Sequence, residues 1–156
     1  MSGVLGTSLV TQVGFIVKDI EVTKKKWAEF LGLEEPPTVG AGEYEITQTI
    51  YKGEPAPNAA AKLAFFTVGE NLQIELIEPN EAPSTWREFL DTHGEGVHHL
   101  AFGAANGMKN AVASCEAFGL IPQQAGNYGD GSGRYAYLSG EKDLKVFIEL
   151  LESDNK

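Results

Sequence analysis

The sequence predicts an α+β domain built from two tandem βαβββ modules, and two internal repeats support this prediction. Residues 12–33 superimpose without a gap on residues 99–120 at an offset of 87 positions (99 − 12). The pentapeptide IELIE at 74–78 returns as IELLE at 148–152, at an offset of 74 (149 − 75). Each copy of the longer segment passes from an apolar run into a stretch with helical periodicity. Such self-similarity is typical of a duplicated supersecondary unit.

The first module, over residues 8–80, begins with an apolar, β-branched strand at 10–17. Asp19 is suited to cap a following helix at its N-terminus, and Gly32 to end it. Three further strand-like stretches, separated by turns that contain Pro and Gly, complete the module at 45–53, 62–68 and 72–78. The order of these elements is βαβββ.

The second module, over residues 96–153, repeats this order with a strand, a helix and three more strands at 97–104, 108–118, 120–124, 134–140 and 144–152. Between the modules, Pro83 and Ser84 open a linking helix over about 84–92 that stops before Gly94. Trp86 lies at an apolar position of this helix and is expected in the core. The whole chain, 1–156, is therefore expected to form a single domain.

The net charge and the apolar content of the sequence argue against nucleic acid and membranes as partners. The 156 residues carry 12 Lys and Arg against 22 Asp and Glu, a formal net charge of −10. The basic run 24–26 is explained by a solvated helix face, so no nucleic acid is expected. No apolar run approaches the ~20 residues of a membrane span, so no membrane is expected either. The N-terminus without a basic start and the single cysteine, Cys115, predict a cytoplasmic protein.

Two glutamates lie inside apolar strands, Glu75 in IELIE and Glu149 in IELLE. A lone strand glutamate usually faces solvent, but the repeat places these two at equivalent positions. Side chains alternate along a strand, so each glutamate faces away from its Ile and Leu neighbours. Two carboxylates brought together in a core could not both ionise without a cation between them. The pair therefore predicts a divalent metal inside the fold.

The stretches TQVGFIVKDIE, IELIEP, GEGVHHLAF and VFIELLE together resemble the vicinal oxygen chelate superfamily of glyoxalases, bleomycin-resistance proteins and extradiol dioxygenases. The resemblance covers nearly the whole chain and is closest to the methylmalonyl-CoA epimerase and glyoxalase branch. It implies that both modules join in one cupped, half-closed mixed sheet with flanking helices. Since relatives commonly dimerise, it also implies a homodimer.

The resemblance implies one divalent metal ion per chain, Zn, Co, Mn or Ni. Carried over by position, its ligands are Gln12, Glu75, His99 and Glu149. Neighbouring strand residues face opposite sides, so only one of His98 and His99 is expected to line the cavity. The offset of 87 selects His99, because His99 falls on Gln12.

A metal-dependent lyase or isomerase of the glyoxalase or epimerase type is the activity that the resemblance implies. Its substrate would be a small carbonyl compound, thioester or hemithioacetal, made acidic at its α-carbon by the metal. Glu149 is the first choice for the base, with Glu75 as the second catalytic carboxylate. The epimerase branch has a further acid just before the strand at 62–68, where this chain has an alanine run and Glu54 is the nearest carboxylate.

Two other classes remain as alternatives. A small-molecule binding or resistance protein would need no metal ligands, although metal could assist it. An extradiol dioxygenase is less favoured, because ferrous O2-activating sites use two histidines and one carboxylate, whereas this set has one histidine and two carboxylates.

Four further residues are predicted to line the cavity: Arg134, Tyr44, Gln48 and Tyr137. A guanidinium at the mouth of a cup would hold a substrate carboxylate or phosphate through two hydrogen bonds. A surface salt bridge is an equal alternative for Arg134. The glycine-rich stretch before it lacks the strand and helix context of a nucleotide-binding loop.

Overall fold

The computed structural model describes residues 3–154. This part of the chain forms helices α1 (Ile20–Leu31), α2 (Tyr44–Thr47), α3 (Thr85–His93) and α4 (Met108–Phe118). It also forms strands β1 (Gln12–Ile16), β2 (Val39–Gly40), β3 (Ile50–Tyr51), β4 (Glu54–Pro55), β5 (Ala61–Val68), β6 (Leu72–Pro79), β7 (Gly96–Gly103), β8 (Ile121–Asn127), β9 (Gly133–Ser139) and β10 (Phe147–Ser153). Within residues 3–154 there is no helix whose length and apolar content would let it span a membrane.

The strands form one mixed sheet in the order β2-β5-β6-β1-β7-β10-β9-β8-β3-β4. The first strands of the two modules, β1 and β7, pair antiparallel at its centre. The last strands, β6 and β10, flank them in parallel pairing. The centre of the sheet is therefore symmetric about an axis between β1 and β7. The predicted α+β fold of two βαβββ units in a curled sheet is confirmed.

Helices α1 and α4 cover the outer face of the sheet, one on each half. Asp19 accepts hydrogen bonds from the backbone N–H groups of Glu21 and Val22, and Gly32 ends α1 in the left-handed conformation at φ 68°. Both helix signals in the sequence are thus confirmed. α1 packs on apolar side chains of β5 and β6, and α4 on those of β9 and β10. Since alternate strand residues cover this outer face, the remaining ones are left to line the inside of the curl.

Helix α3 packs inside the curl rather than outside it. Ser84 caps it by accepting a hydrogen bond from the N–H of Arg87. Trp86 is 5% exposed and packs with Ile16, Ile77 and Tyr137, which confirms its predicted burial. One end of the curl is therefore filled by the helix that joins the two modules.

The stretch 45–53, predicted as one strand, is different in the structure. It begins inside α2 and contains only the two-residue β3, because Gln48 before β3 and Lys52 after it adopt positive φ angles that interrupt extended backbone. β2 pairs with β5 at one side of the sheet, whereas β3 pairs with β8 at the other. The segment 39–55 therefore spans the two sides and holds the sheet in its curl.

A bulge in β7 also corrects the prediction that only one histidine can lie on the inner side. Gly14 pairs with His99 and Phe15 with Val97, so His98 is an extra residue without a partner on β1. A bulge of this kind re-aims side chains. The two imidazole rings consequently lie together, with centroids 5.2 Å apart, and both histidines are fully buried.

We expect Trp86→Ala to lower the free energy of unfolding by about 3–5 kcal/mol, because it removes the indole at the junction of α3 and the sheet. Urea denaturation measures the loss. Val22→Ala is the control, since Val22 is 59% exposed on α1 and its truncation should stay within about 0.5 kcal/mol. Equal losses in the two variants would show that α3 does not stabilise the sheet.

Candidate metal centre

Strand register brings four predicted ligands to one face at the centre of the sheet. Gly14 of β1 lies opposite both Glu75 of β6 and His99 of β7. Ala101 of β7 lies opposite both Gln12 of β1 and Glu149 of β10. Paired residues project to the same face. The four side chains that meet inside the curl are Gln12, Glu75, His99 and Glu149.

His99 Nε2 is the atom around which the other three side chains gather. It lies 2.8 Å from Gln12 Oε1, 2.9 Å from Glu149 Oε2 and 3.5 Å from Glu75 Oε1. All four residues are at most 7% exposed. Within residues 3–154, Glu75, His99 and Glu149 form a buried group that could hold a metal ion.

The Gln12 amide tests whether a cation fits. Its Nε2 donates to Gln73 Oε1 at 2.6 Å, which turns Oε1 inward. This inward position lies 2.9 Å from Glu149 Oε2 and 3.2 Å from Glu75 Oε1. With the amide turned over, its nitrogen donates to both carboxylates in the metal-free protein, whereas a bound cation would take the oxygen there. Metal bonds of about 2.1 Å would set ligand atoms about 3.0–3.4 Å apart, between right and tetrahedral angles. The contacts of 2.8–3.5 Å in this group therefore fit four ligands around one ion.

The charges of these four side chains also favour a bound cation. Burial first, and then the Glu149 carboxylate, raise the pKa of Glu75 to about 8. Burial opposes protonation of His99, yet Glu149 and Glu75 together raise the pKa of its imidazole. In the metal-free protein these groups thus take up protons to reduce repulsion between two buried carboxylates. A divalent cation would neutralise the same charge directly.

Gly14 leaves the space that the His99 ring occupies. A Cβ placed on Gly14 would lie 2.0 Å from His99 Cε1 and 2.5 Å from each ring nitrogen. Any side chain at this position would therefore displace the imidazole from Gln12 and Glu149. The sequence repeat gave no sign of this role, because Gly14 falls on Ala101 at the offset of 87.

Of the four predicted cavity liners, the structure brings only Tyr137 close to the group among the contacts that residues 3–154 show. Its ring centroid lies 5.1 Å from that of His99, and its hydroxyl accepts a hydrogen bond from Trp86 Nε1 at 3.1 Å. Burial raises the pKa of Tyr137 well above its ordinary value, so its phenol stays protonated.

The other three lie elsewhere. Arg134 is on the opposite face of β9 from Tyr137 and forms ion pairs with Glu152 and Asp154, so its guanidinium has the predicted alternative role of a salt bridge. Tyr44 is the half-buried first residue of α2. Gln48 is exposed at the C-terminal end of the same helix, and its side chain donates to the carbonyl of Tyr44. Arg134 and Tyr137 are three positions apart on β9, and side chains an odd number of positions apart on a strand point to opposite faces. The Arg134 side chain therefore points away from the inside of the curl.

Sequence reasoning missed two polar residues near the centre. Gln73 binds Gln12, and Tyr135 receives a hydrogen bond from Gln124 Nε2 at 3.1 Å. Each lies two residues from an inward-facing residue of its own strand, Glu75 or Tyr137. Because side chains two positions apart on a strand share a face, the sequence could have indicated that both residues point inward.

We expect Gly14→Ala to weaken zinc binding by about 10–100-fold, a loss typical of disturbed ligand orientation. Chelator competition measures the affinity. Gly3→Ala is a control, because an added Cβ there meets no atom within 4 Å. If Gly14→Ala binds zinc as the control does, the His99 ring does not need this space.

The chain matches one protein-family model and one bacterial protein at the level of sequence. A model of the glyoxalase/bleomycin resistance protein/dioxygenase superfamily matches residues 11–137. The uncharacterized protein YqjC of Bacillus subtilis (strain 168) is 30% identical over 90 residues, which are 58% of this chain and 64% of that protein. The match thus spans less than two thirds of the relative's length.

Solved structures share the fold. A methylmalonyl-CoA epimerase in complex with methylmalonyl-CoA and NH4+ superimposes with a TM-score of 0.63 at 21% identity, over 94% of each chain. The hypothetical protein BH1468 from Bacillus halodurans C-125 gives a TM-score of 0.65 at 22% identity, over 96% of this chain and 98% of that one. At these identities the likeness concerns the fold. With the family model matching most of its length, the chain belongs to the glyoxalase/bleomycin resistance protein/dioxygenase superfamily.

Proposed function

We propose that this protein is a divalent-metal-dependent isomerase or lyase that removes the α-proton of a bound carbonyl substrate. The observation that carries the proposal is the buried convergence of one imidazole nitrogen, one amide oxygen and two carboxylates. Such a mixed oxygen and nitrogen set suits a hard or borderline divalent ion. Gln12, Glu75, His99 and Glu149 would hold that ion, which would be Zn, Co, Mn or Ni.

The substrate class is proposed from the comparisons. A structure of the same fold is a methylmalonyl-CoA epimerase in complex with methylmalonyl-CoA, a thioester. We infer that the substrate of this chain is likewise a small carbonyl compound, with a thioester or a hemithioacetal as the first candidates. Both epimerase-like and glyoxalase-like reactions begin with loss of a proton next to a carbonyl group.

A bound divalent ion would supply a Lewis acid that polarises the substrate carbonyl and so acidifies the neighbouring C–H bond. Glu149 is the proposed base. Its carboxylate takes the proton from the α-carbon, and the pair of electrons from that C–H bond remains with the substrate. In an isomerase the same carboxyl group then returns the proton to the adjacent carbon. In an epimerase the proton must reach the α-carbon from the opposite face, and Glu75 is the carboxyl group that would supply it.

Glu149 lies on β10, which also borders an open groove. Leu151 lies two residues further along β10, on the same face, and contacts a groove of about 420 Å³. Gly103, the partner of Leu151 on β7, lines the groove too. The groove therefore begins two residues beyond Glu149 on the same strand, and none of the four proposed ligands is among the residues that line it.

The structure offers no buried second acid in the stretch where the epimerase branch has one, as far as residues 3–154 show. Glu43, Glu45 and Glu54 are all exposed. This arrangement supports chemistry in which Glu149 is the base. Glu75, at the equivalent position of the first module, is the other carboxylate of the site.

We expect the zinc-loaded protein to exchange an α-proton of its substrate for deuterium in D2O, and Glu149→Gln to slow this exchange by about 10²–10⁴-fold. Mass spectrometry of candidate thioesters, hemithioacetals and 2-oxo compounds gives the readout. Glu116→Gln is the control, since Glu116 is exposed on α4, the helix that covers the outer face of the sheet.

Other outcomes would point to other members of the superfamily. Metal-dependent O2 consumption without exchange would contradict the proposal in favour of a dioxygenase. Tight binding of a small molecule with neither activity would contradict it in favour of a binding or resistance protein.

The affinity for zinc should rise with pH up to about 8 and then level off. Because the pKa of Glu75 in the metal-free protein is raised to about 8, the ion must displace a proton below that pH. Each pH unit below about 8 should therefore cost at least about tenfold in affinity. Chelator competition across this range tests the slope, and Glu75→Gln should flatten it while lowering the affinity. A slope of zero in the wild type would show that Glu75 is not a ligand.

A further inference from the structure

The bulge in β7 gives His99 a partner on the side away from the proposed metal. His98 Nδ1 lies 3.0 Å from His99 Nδ1, and both rings are fully buried. In a regular strand these adjacent side chains would point to opposite faces. The extra residue in β7 therefore produces a direct contact between the two imidazoles.

The protons of this pair are fixed by the direction of His99. Its Nε2 faces Gln12 Oε1 and Glu149 Oε2, and a metal ligand must present a lone pair. When His99 binds a metal through Nε2, its ring proton is on Nδ1, which donates to His98 Nδ1. His98 must consequently carry its own proton on Nε2.

The second nitrogen of His98 also has a suitable partner. Its Nε2 lies 3.0 Å from the hydroxyl oxygen of Thr85, the first residue of α3. Thr85 is held in turn by its backbone N–H, which donates to Gln124 Oε1 at 2.9 Å. A chain of hydrogen bonds thus runs from His99 through His98 to the linking helix.

Aromatic packing holds the His98 ring in place. The ring stacks on Phe147 with centroids 4.7 Å apart and meets Phe89 and Tyr137 edge-on at 5.4 and 5.1 Å. A ring enclosed in this way cannot rotate without moving its neighbours. The orientation of its nitrogens is therefore built into the fold.

We propose that His98 is a positioning residue for the metal centre: it accepts the Nδ1 proton of His99 and thereby keeps His99 Nε2 directed at the metal. Thr85 completes the arrangement by accepting the Nε2 proton of His98. This inference rests on the proposed function, because it assigns His99 as a ligand. A hydrogen-bond acceptor behind a metal-bound histidine fixes its tautomer and raises its basicity.

Imidazole nitrogen NMR of the wild type tests the proton positions without any substitution. The chain contains 3 histidines, and the third, His93, is exposed on α3 and serves as the internal control. We expect His98 to carry its proton on Nε2 and His99 to carry its proton on Nδ1 in the zinc-loaded protein. A proton on His98 Nδ1 would reverse the hydrogen bond and overturn the inference.

His98→Asn and His98→Gln form a matched pair for the affinity. Asparagine places its amide oxygen near the position of Nδ1 and can still accept from His99, whereas the amide of glutamine reaches the position of Nε2 instead. We expect His98→Gln to weaken zinc binding by about 10–100-fold and His98→Asn by about threefold or less. Equal losses in the two variants would mean that His98 acts by packing, and would overturn the inference.

Thr85→Val and Thr85→Ser provide a second pair if the buried His98 variants do not fold. Valine removes the acceptor at almost constant volume, so zinc binding should weaken, while serine should retain it. Equal zinc affinity in Thr85→Val and the wild type would contradict the role of Thr85. If the wild type takes up no zinc, the metal proposal itself fails. If it takes up zinc but His98 carries its proton on Nδ1, only the proposed role of His98 fails.

Discussion

Two buried carboxylates, Glu75 and Glu149, face each other across the symmetry axis of the sheet, and much of the structure near the centre serves to accommodate them. Each comes from the last strand of its module, so the pairing of β1 with β7 brings them together. Like charges this deeply buried are unstable without protons or a cation. The raised pKa of Glu75 expresses that constraint in the metal-free chain.

The two modules differ at the centre for a steric reason. Gln12 and His99 are equivalent by the repeat, and so are Gly14 and Ala101, which face them across the β1–β7 pair. The His99 ring needs the space above Gly14 that a Cβ would fill, whereas Gln12 lies opposite Ala101, which keeps its methyl group. An imidazole in only one module therefore depends on two differences between the modules: histidine instead of glutamine in β7, and glycine instead of alanine opposite it in β1.

The parts that connect the modules also hold the site. α3 fills one end of the curl with Trp86 and begins at Thr85, which contacts His98. The segment 39–55 pairs with both β5 and β8 and keeps the sheet curled. Because the four proposed ligands come from four different strands, a small opening of the curl would separate them, and these connections limit such an opening.

From the sequence alone, the repeats and strand alternation predicted the two modules, their helices and the two buried glutamates, and the family resemblance added Gln12 and His99 to Glu75 and Glu149 as proposed ligands. Tertiary structure decided the rest. The bulge that joins His98 to His99 depends on pairing with β1, and the place of the segment 39–55 depends on how far the sheet curls. Arg134 lies on the outer face because the register of β9 against β10 sets which residues point inward. Register and curl arise from contacts between residues far apart in the chain, which no local pattern encodes.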